Sequence, residues 1–286
     1  MFDLTDRLAL VTGGSRGLGA ATARLLAQQG ADVVFTYRKD VDQAAATLAA
    51  IEATGRRGWT HQLDLADGEA IDALFETIAA EHGGLDIVVA NAAQTKFAEL
   101  IDVQPHHVDR TFAITVSGFL RLVQRAVPLL EARGGGRIVA VSGADTKTHI
   151  AAHGLLAAAK AGMEIMVSYL GVELGRRNIT TIGVCPGFIA GDSMRLMVGD
   201  FFDATVEEEA RTHPLGITAT PDDVAAAVVL VCTDAARLLN GSTIMADGAG
   251  VFAYCSRATA YASEHLVASG QVSADTTAPS VVRFQS

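Results

Sequence analysis

One stretch constrains the fold more than any other. Thr12-Gly13-Gly14-Ser15-Arg16-Gly17-Leu18-Gly19 stands directly behind the apolar run Leu8-Ala9-Leu10-Val11, and an Ala/Leu-rich segment from Ala20 to Gln29 follows it. A short buried strand, a glycine turn and a helix are the parts from which a chain builds a diphosphate cradle. Glycines there take backbone angles that a side chain forbids and let the main chain approach a ligand closely. The helix behind the turn aims its unpaired N–H groups and the positive end of its dipole at the phosphates. The glycines at 13, 17 and 19 follow Thr-Gly-x-x-x-Gly-x-Gly, a wider spacing than the common Gly-x-Gly-x-x-Gly. Ser15, Arg16 and Leu18 lie between them and are expected to touch the ligand as well.

The rest of the chain repeats the same alternation, with no internal repeat and no low-complexity segment. Apolar periodicity predicts strands at 8–12, 32–37, 58–63, 86–90, 137–142, 180–185 and 243–246, and helices near 17–29, 41–54, 67–82, 104–132, 153–175 and 221–236. Strands separated by helices pair in parallel, with helices on both faces. The expected architecture is a Rossmann-type, doubly wound parallel sheet of about seven strands. Ligands bind such sheets outside the carboxyl ends of the strands. The pair His106-His107, after Pro105, is read as a structural start to the long middle helix.

The strand-end motifs resemble those of the short-chain dehydrogenase/reductase family along the first 250 positions. Asp64 and Leu65 follow the third strand, where the family binds adenine. Asn91-Ala92-Ala93 ends the fourth strand and is similar to the family's Asn-Ala-Gly; Pro186-Gly187 and Asp247-Gly248 end the sixth and seventh. The resemblance implies a dinucleotide-binding domain over 1–250, with a substrate lid at 192–215 that carries Met194, Met197, Phe201 and Phe202. Residues 251–286 extend beyond the family's usual end, with a short helix from Arg257 to Ala268 and an arm from Pro279 to Phe284 as expectations. It also implies a homodimer or homotetramer built through the middle helices and the last strand.

Charge at the end of the second strand bears on the choice of cofactor. A dinucleotide without a 2′-phosphate is usually held there by a carboxylate. Here the strand ends in Arg38-Lys39, and Arg16 sits nearby in the glycine turn. Two guanidinium groups clamp a phosphate through charge-assisted bonds, which points to NADP(H).

The resemblance breaks at the chemistry. Family members acting on alcohols and ketones place a Tyr four residues before a Lys, with a Ser about thirteen residues upstream of the Tyr. Lys160 occupies the lysine position, but Leu156 stands four residues before it, and the serine position is Gly143, next to Ser142. The family's Asn in the long middle helix is Thr115 here. A leucine cannot transfer a proton. The enoyl-acyl carrier protein reductase branch of the same superfamily, to which Ile138 to Ala161 is loosely similar, sets its Tyr seven residues before the Lys. That position is His153, two helical turns from Lys160 and on nearly the same azimuth. An imidazole exchanges protons near neutral pH. The candidate catalytic residues are therefore His153, Lys160 and Ser142, with Asp145, Lys147 and His149 expected at the pocket rim. His149 and His153 have no further ligand at metal spacing, and no metal site is expected.

Composition narrows the partners. Half of the 286 residues are hydrophobic and the net charge is −10, which argues against a polyanionic partner such as nucleic acid. No N-terminal signal pattern is seen and no apolar run is expected to reach bilayer length. Cys185, Cys232 and Cys255 show neither metal nor redox spacing and are read as incidental thiols in a cytoplasmic protein. Three functions stay open: an NADP(H)-dependent reductase of an apolar or conjugated acyl or polyketide-type substrate; a non-redox cyclase, dehydratase or isomerase; and a non-catalytic scaffold. Retention of Lys160, Asn91 and the phosphate turn favours the first.

Overall fold

The computed structural model describes residues 3–253. The extension expected over 251–286, with its helix at 257–268 and arm at 279–284, lies almost wholly outside the described residues, as does Cys255. Seven strands form one parallel sheet: β1 (Leu8–Val11), β2 (Asp32–Tyr37), β3 (Gly58–Gln62), β4 (Ile87–Ala90), β5 (Gly136–Val141), β6 (Ile179–Pro186) and β7 (Thr243–Ala246). Their order is β3-β2-β1-β4-β5-β6-β7, so the winding reverses between β1 and β4. The connecting helices are α1 (Gly17–Gln28), α2 (Val41–Glu52), α3 (Gly68–His82), α4 (Pro105–Phe112), α5 (Gly118–Ala132), α6 (Gly154–Gly175), α7 (Asp192–Val198), α8 (Phe202–Thr212) and α9 (Pro221–Val231).

Strand side chains alternate between two cores, as a sheet covered on both faces requires. Leu10, Val34, Val88 and Ile138 pack with α3, α5 and α6 through Phe75, Phe119, Leu122 and Met163. Their neighbours Val11, Phe35, Val89 and Val139 pack on the other face with α1, α2 and α9 through Leu26, Ile51 and Val228. Cys185 and Cys232 are buried free thiols in these layers.

Four expectations need correction. The middle helix does not run unbroken over 104–132: a π turn, Ala113–Ser117, separates α4 from α5. Its centre is Thr115, which cannot be read as a helix breaker from sequence. The last helix stops at Val231, because Asp234–Leu239 tightens into a 3-10 helix. The first strand ends at Val11, one residue early, where Thr12 turns its hydroxyl into the sheet end. The stretches Pro105–Ala132 and Gly154–Gly175 do have the length and hydropathy to span a bilayer. The first is divided by the π turn, and α5 and α6 each lay one apolar face on the sheet. His107 behaves as expected, its ring Nδ1 accepting from the Gln104 amide at 3.3 Å to cap α4.

Glycines on α6 give a paired test. A Cβ at Gly171 would stand 2.6 Å from Gly241 Cα and 2.8 Å from its nitrogen, contacts with backbone that cannot move aside cheaply. At Gly162 the nearest atom would be 3.8 Å away. Gly171→Ala is expected to lower unfolding free energy by about 1–3 kcal/mol. Gly162→Ala should raise it by up to about 1 kcal/mol through helix propensity. Urea denaturation followed by circular dichroism reads both.

Candidate active site

The crevice opens where the sheet reverses, and hydrogen bonds from β4 hold its floor. Asn91 Nδ2 donates to the carbonyls of Thr12 (3.0 Å) and Gly13 (3.2 Å), and the Thr12 hydroxyl accepts from the amides of Asn91 and Ala92, each at 3.1 Å. β2 pins the same turn from the other side, Gly14 N–H donating to the Thr36 carbonyl at 2.8 Å. Gly13 and Gly17 have φ of +66° and +53°, the left-handed region that glycine tolerates. A Cβ at Gly19 would lie 2.1 Å from the Gly13 carbonyl oxygen, so only glycine lets α1 start so close to the turn. The first amides of α1 have no intrahelical acceptor and face the crevice.

A cleft of about 540 Å³ lies over this turn. Gly13, Ser15, Arg16, Gly17, Leu18 and Gly19 line one side, and Arg38, Asp64, Leu65 and Asn91 the other, so ten of the expected ligand contacts share one wall system. The Arg16 side chain makes no hydrogen bond or ion pair among the described residues. Arg38 donates to Gln94 Oε1, and Arg110 pairs with Asp64. Hydrogen bonds from Arg110 and the Ala66 amide hold the Asp64 carboxyl below its ordinary range, against the effect of its burial. Asp40, the nearest carboxylate after β2, is used to cap α2 by accepting from Gln43 N at 3.0 Å. Open glycines, unpaired amides and two cations at one end fit a phosphorylated dinucleotide.

Three expected contacts, Lys160, Pro186 and Gly187, do not line the cleft; Lys160, on α6, is 5% exposed, its Nζ donating to the Val141 carbonyl at the end of β5. Burial pushes its pKa down to about 8, with Asp145, Cys185 and Glu164 pulling the other way. Ser142 is also buried, but its hydroxyl donates to Glu164 Oε1 at 2.5 Å and is not free to meet a substrate. Glu164 also accepts from Thr146 Oγ1 (2.8 Å) and Lys147 Nζ (2.5 Å). These donors outweigh its burial and keep its carboxyl below the ordinary range. Glu164 was not anticipated from sequence; the available signal was a lone carboxylate one turn beyond Lys160 in an Ala/Leu-rich helix.

His153 precedes the first residue of α6. Its Nδ1 lies 2.9 Å from the Ala151 carbonyl, which fixes the proton there and leaves Nε2 open, and its ring leans on Phe97 with centroids 4.6 Å apart. It lines a cavity of about 570 Å³ with Asp145, Lys147, His149 and Leu100. Leu156, half-buried, offers no proton. A neighbouring cavity of about 390 Å³ is walled by Ala144, Ile150, Gly187, Phe188, Met197 and His213. Its apolar surface lies beneath α7, where Met194 is buried while Phe201 beyond it is exposed. Pro186 closes β6 in register with Ala246. His213 is held by donating Nε2–H to the Asp247 carbonyl (2.8 Å) and accepting at Nδ1 from the Leu215 amide (3.2 Å), a third pocket histidine and one that sequence did not single out. No group of three His, Cys, Asp or Glu side chains suited to a metal ion occurs among the described residues.

Sheet order, phosphate turn and a buried lysine beside the cleft define a dinucleotide-binding α/β protein. The family model described as enoyl-(acyl carrier protein) reductase matches residues 13–250. The chain belongs to the short-chain dehydrogenase/reductase family of oxidoreductases. It is 33% identical over 242 residues to 1-cyclohexenylcarbonyl-CoA reductase of Streptomyces collinus, covering 85% of this chain and 86% of that one. Versicolorin reductase of Emericella nidulans is also 33% identical, over 257 residues, with 86% and 96% covered. Among solved structures, a short-chain dehydrogenase of Burkholderia cenocepacia in complex with NADP superposes with a TM-score of 0.78 at 36% identity, over 86% of this chain and 98% of that one.

The buried lysine gives a pH-dependent expectation. Unfolded, Lys160 keeps its proton up to about pH 10.5; folded, it releases it near 8, so parent stability rises with pH between those values. Lys160→Met, which removes the buried charge, should be more stable at pH 7 by about 3 kcal/mol. That advantage should shrink from pH 8 upward and vanish near 10.5 in chemical denaturation series.

Proposed function

We propose that the protein is an NADP(H)-dependent reductase of an apolar, conjugated acyl or polyketide-type substrate. The observation that carries this reading is Lys160, a cation buried at a cost in stability with its Nζ on the carbonyl at the end of β5, in a sheet whose carboxyl ends also carry the glycine-lined cleft. Such a cost is kept where function requires it. Bound in the cleft, the reduced nicotinamide supplies hydride. The turn residues Gly13, Ser15, Gly17, Leu18 and Gly19 hold the diphosphate, Arg16 and Arg38 take the 2′-phosphate, and Asp64 and Leu65 border the adenine. Asn91 keeps the turn open and Lys160 binds the ribose and lowers the cost of negative charge beside it; Gly187, which lines the neighbouring cavity and not the cleft, and Pro186 before it border the nicotinamide end in this reading. His153 brings the proton into the site through Nε2, while Ser142 acts through Glu164 to fix α6 against β5.

The apolar cavity beneath α7, and the relatives named for a cyclohexenylcarbonyl thioester and for versicolorin, support a greasy substrate under a lid formed by residues 192–215. Ile165, Tyr169 and Val172 expose an apolar stripe on α6 suited to a homodimer or homotetramer in the cytoplasm. Leu156 favours a second reading, a non-redox step on the same scaffold, because no phenol stands at that place.

The parent protein should bind NADPH more tightly than NADH. Each charge-assisted contact contributes about 1.5–3 kcal/mol, so Arg16→Ala or Arg38→Ala should weaken NADPH alone by about 10–100-fold, and the double variant should lose the preference. Fluorescence titration of the reduced nicotinamide measures this; equal affinities in the parent would overturn the phosphate assignment. Incubating cofactor-stripped protein with 1-cyclohexenylcarbonyl-CoA, with and without NADPH, separates the two readings. Conversion only with NADPH consumption supports the reductase, and conversion without cofactor supports the non-redox step.

A further inference from the structure

The loop between β5 and α6 holds a carboxylate that the scheme above leaves unused. Gly143 is extended, with φ −167° and ψ 153°, and a Cβ built on it would lie 2.7 Å from Asp145 Oδ1. The Asp145 carboxylate has thus moved into the volume that a side chain at 143 would take. It stands on the single turn Ala144–Thr146, which packs on α6, and lines the same cavity as His153. Its Oδ1 is buried and accepts no hydrogen bond; only its own backbone N–H approaches the carboxylate.

The surrounding donors are committed elsewhere. Ser142, Thr146 and Lys147 all donate to Glu164, and Lys160 donates to the Val141 carbonyl. The charged groups facing Asp145 are His153, Lys160 and Glu164, with Lys147 and His149 on the cavity wall. Two neighbouring carboxylates are therefore treated in opposite ways. Glu164 receives three donors and is held ionised. Asp145 receives none from a side chain, and burial raises its pKa above the ordinary carboxylate range, with His153 and Lys160 opposing. A buried carboxyl without donors is a group prepared to carry a proton.

We propose that Asp145 is a catalytic residue that hands its carboxyl proton to the substrate oxygen, and that His153 returns a proton to it from solvent. The proposal rests on the reductase reading. The electrophilic carbon of the substrate carbonyl, or the β carbon of a conjugated thioester, accepts hydride from the reduced nicotinamide, and its π electrons pass to oxygen. The O–H bond of Asp145 breaks as a new O–H bond forms on that oxygen; an enol formed this way reverts to the carbonyl. The carboxylate left behind faces the Lys160 cation, takes the proton of protonated His153 at Nε2, and the imidazole is recharged by water.

The first test follows proton occupancy without turnover. Protein labelled with [4-13C]aspartate is titrated by NMR, the Asp145 signal being the one missing in Asp145→Asn. It should titrate above the other aspartates, and a midpoint within their range overturns the proposal. The second uses NADPH and 1-cyclohexenylcarbonyl-CoA. Asp145→Asn should lose about 10²–10⁴ in turnover with NADPH affinity kept. His153→Ala should lose less and recover with added imidazole, which should not rescue Asp145→Asn. Turnover of Asp145→Asn within about threefold of the parent removes Asp145 from the mechanism. If Asp145→Asn fails to fold, Asp145→Ser is compared in the same way. A parent that binds NADPH but never oxidises it with this thioester fails the reductase reading itself, a result distinct from an active parent with an equally active Asp145→Asn.

Discussion

The site depends on the bonds that tie the end of β4 to the end of β1. These strands are sheet neighbours whose following helices leave on opposite faces, so nothing but their own ends closes the gap between them. Thr12 and Asn91 bridge it with side chain to main chain bonds in both directions, using a hydroxyl and an amide that bury no net charge. The bridge consumes the inward-facing polar groups of the turn and leaves the outward-facing amides of α1 free. A rigid floor and an unsatisfied rim arise from the same few atoms. Without it the left-handed glycines would be a flexible hinge instead of a preformed cradle.

Behind this floor four ionisable or hydroxyl side chains meet at one contact. Lys160 and Ser142 are buried, and Asp145 and Glu164 half-buried, on or beside the contact between β5 and α6. Each of the four is treated differently: Lys160 is given one carbonyl, Ser142 one carboxylate, Glu164 three donors and Asp145 only its own amide. In a medium of low polarity such differences separate the protonation behaviour of groups that would titrate alike in water.

Much of this was legible in the sequence, for identifiable reasons. The strand-turn-helix alternation repeats with a period that the eye can follow, and the seven strands fall where the apolar runs are. The glycine turn was legible because glycine is demanded by backbone geometry, as at Gly13 and Gly19. Arg16, Arg38 and Asp64 were legible because strand ends in such sheets meet at one edge. What the pattern did not reveal were contacts between elements distant in sequence. Ser142 reads from sequence as a hydroxyl for substrate, whereas its hydrogen bond goes to Glu164, 22 residues away. The pairing of Arg110 with Asp64 spans 46 residues and follows no local rule. Nor does composition betray the π turn at Thr115.

That π turn has a consequence for how the protein can vary. Five residues in one wide turn join α4 to α5. α5 is clamped to the sheet by Phe119, Leu122, Val123 and Ala126, all nearly or fully inaccessible, whereas on α4 only Thr111 is buried. The Thr115 hydroxyl at the junction is buried without a hydrogen-bond partner. Deleting one residue between 113 and 117 would replace the wide turn by an ordinary α turn and leave the helices on either side near their present phase. The wide turn is thus where the helix absorbs one extra residue: the rim can lengthen or shorten there by one codon while the core keeps its register.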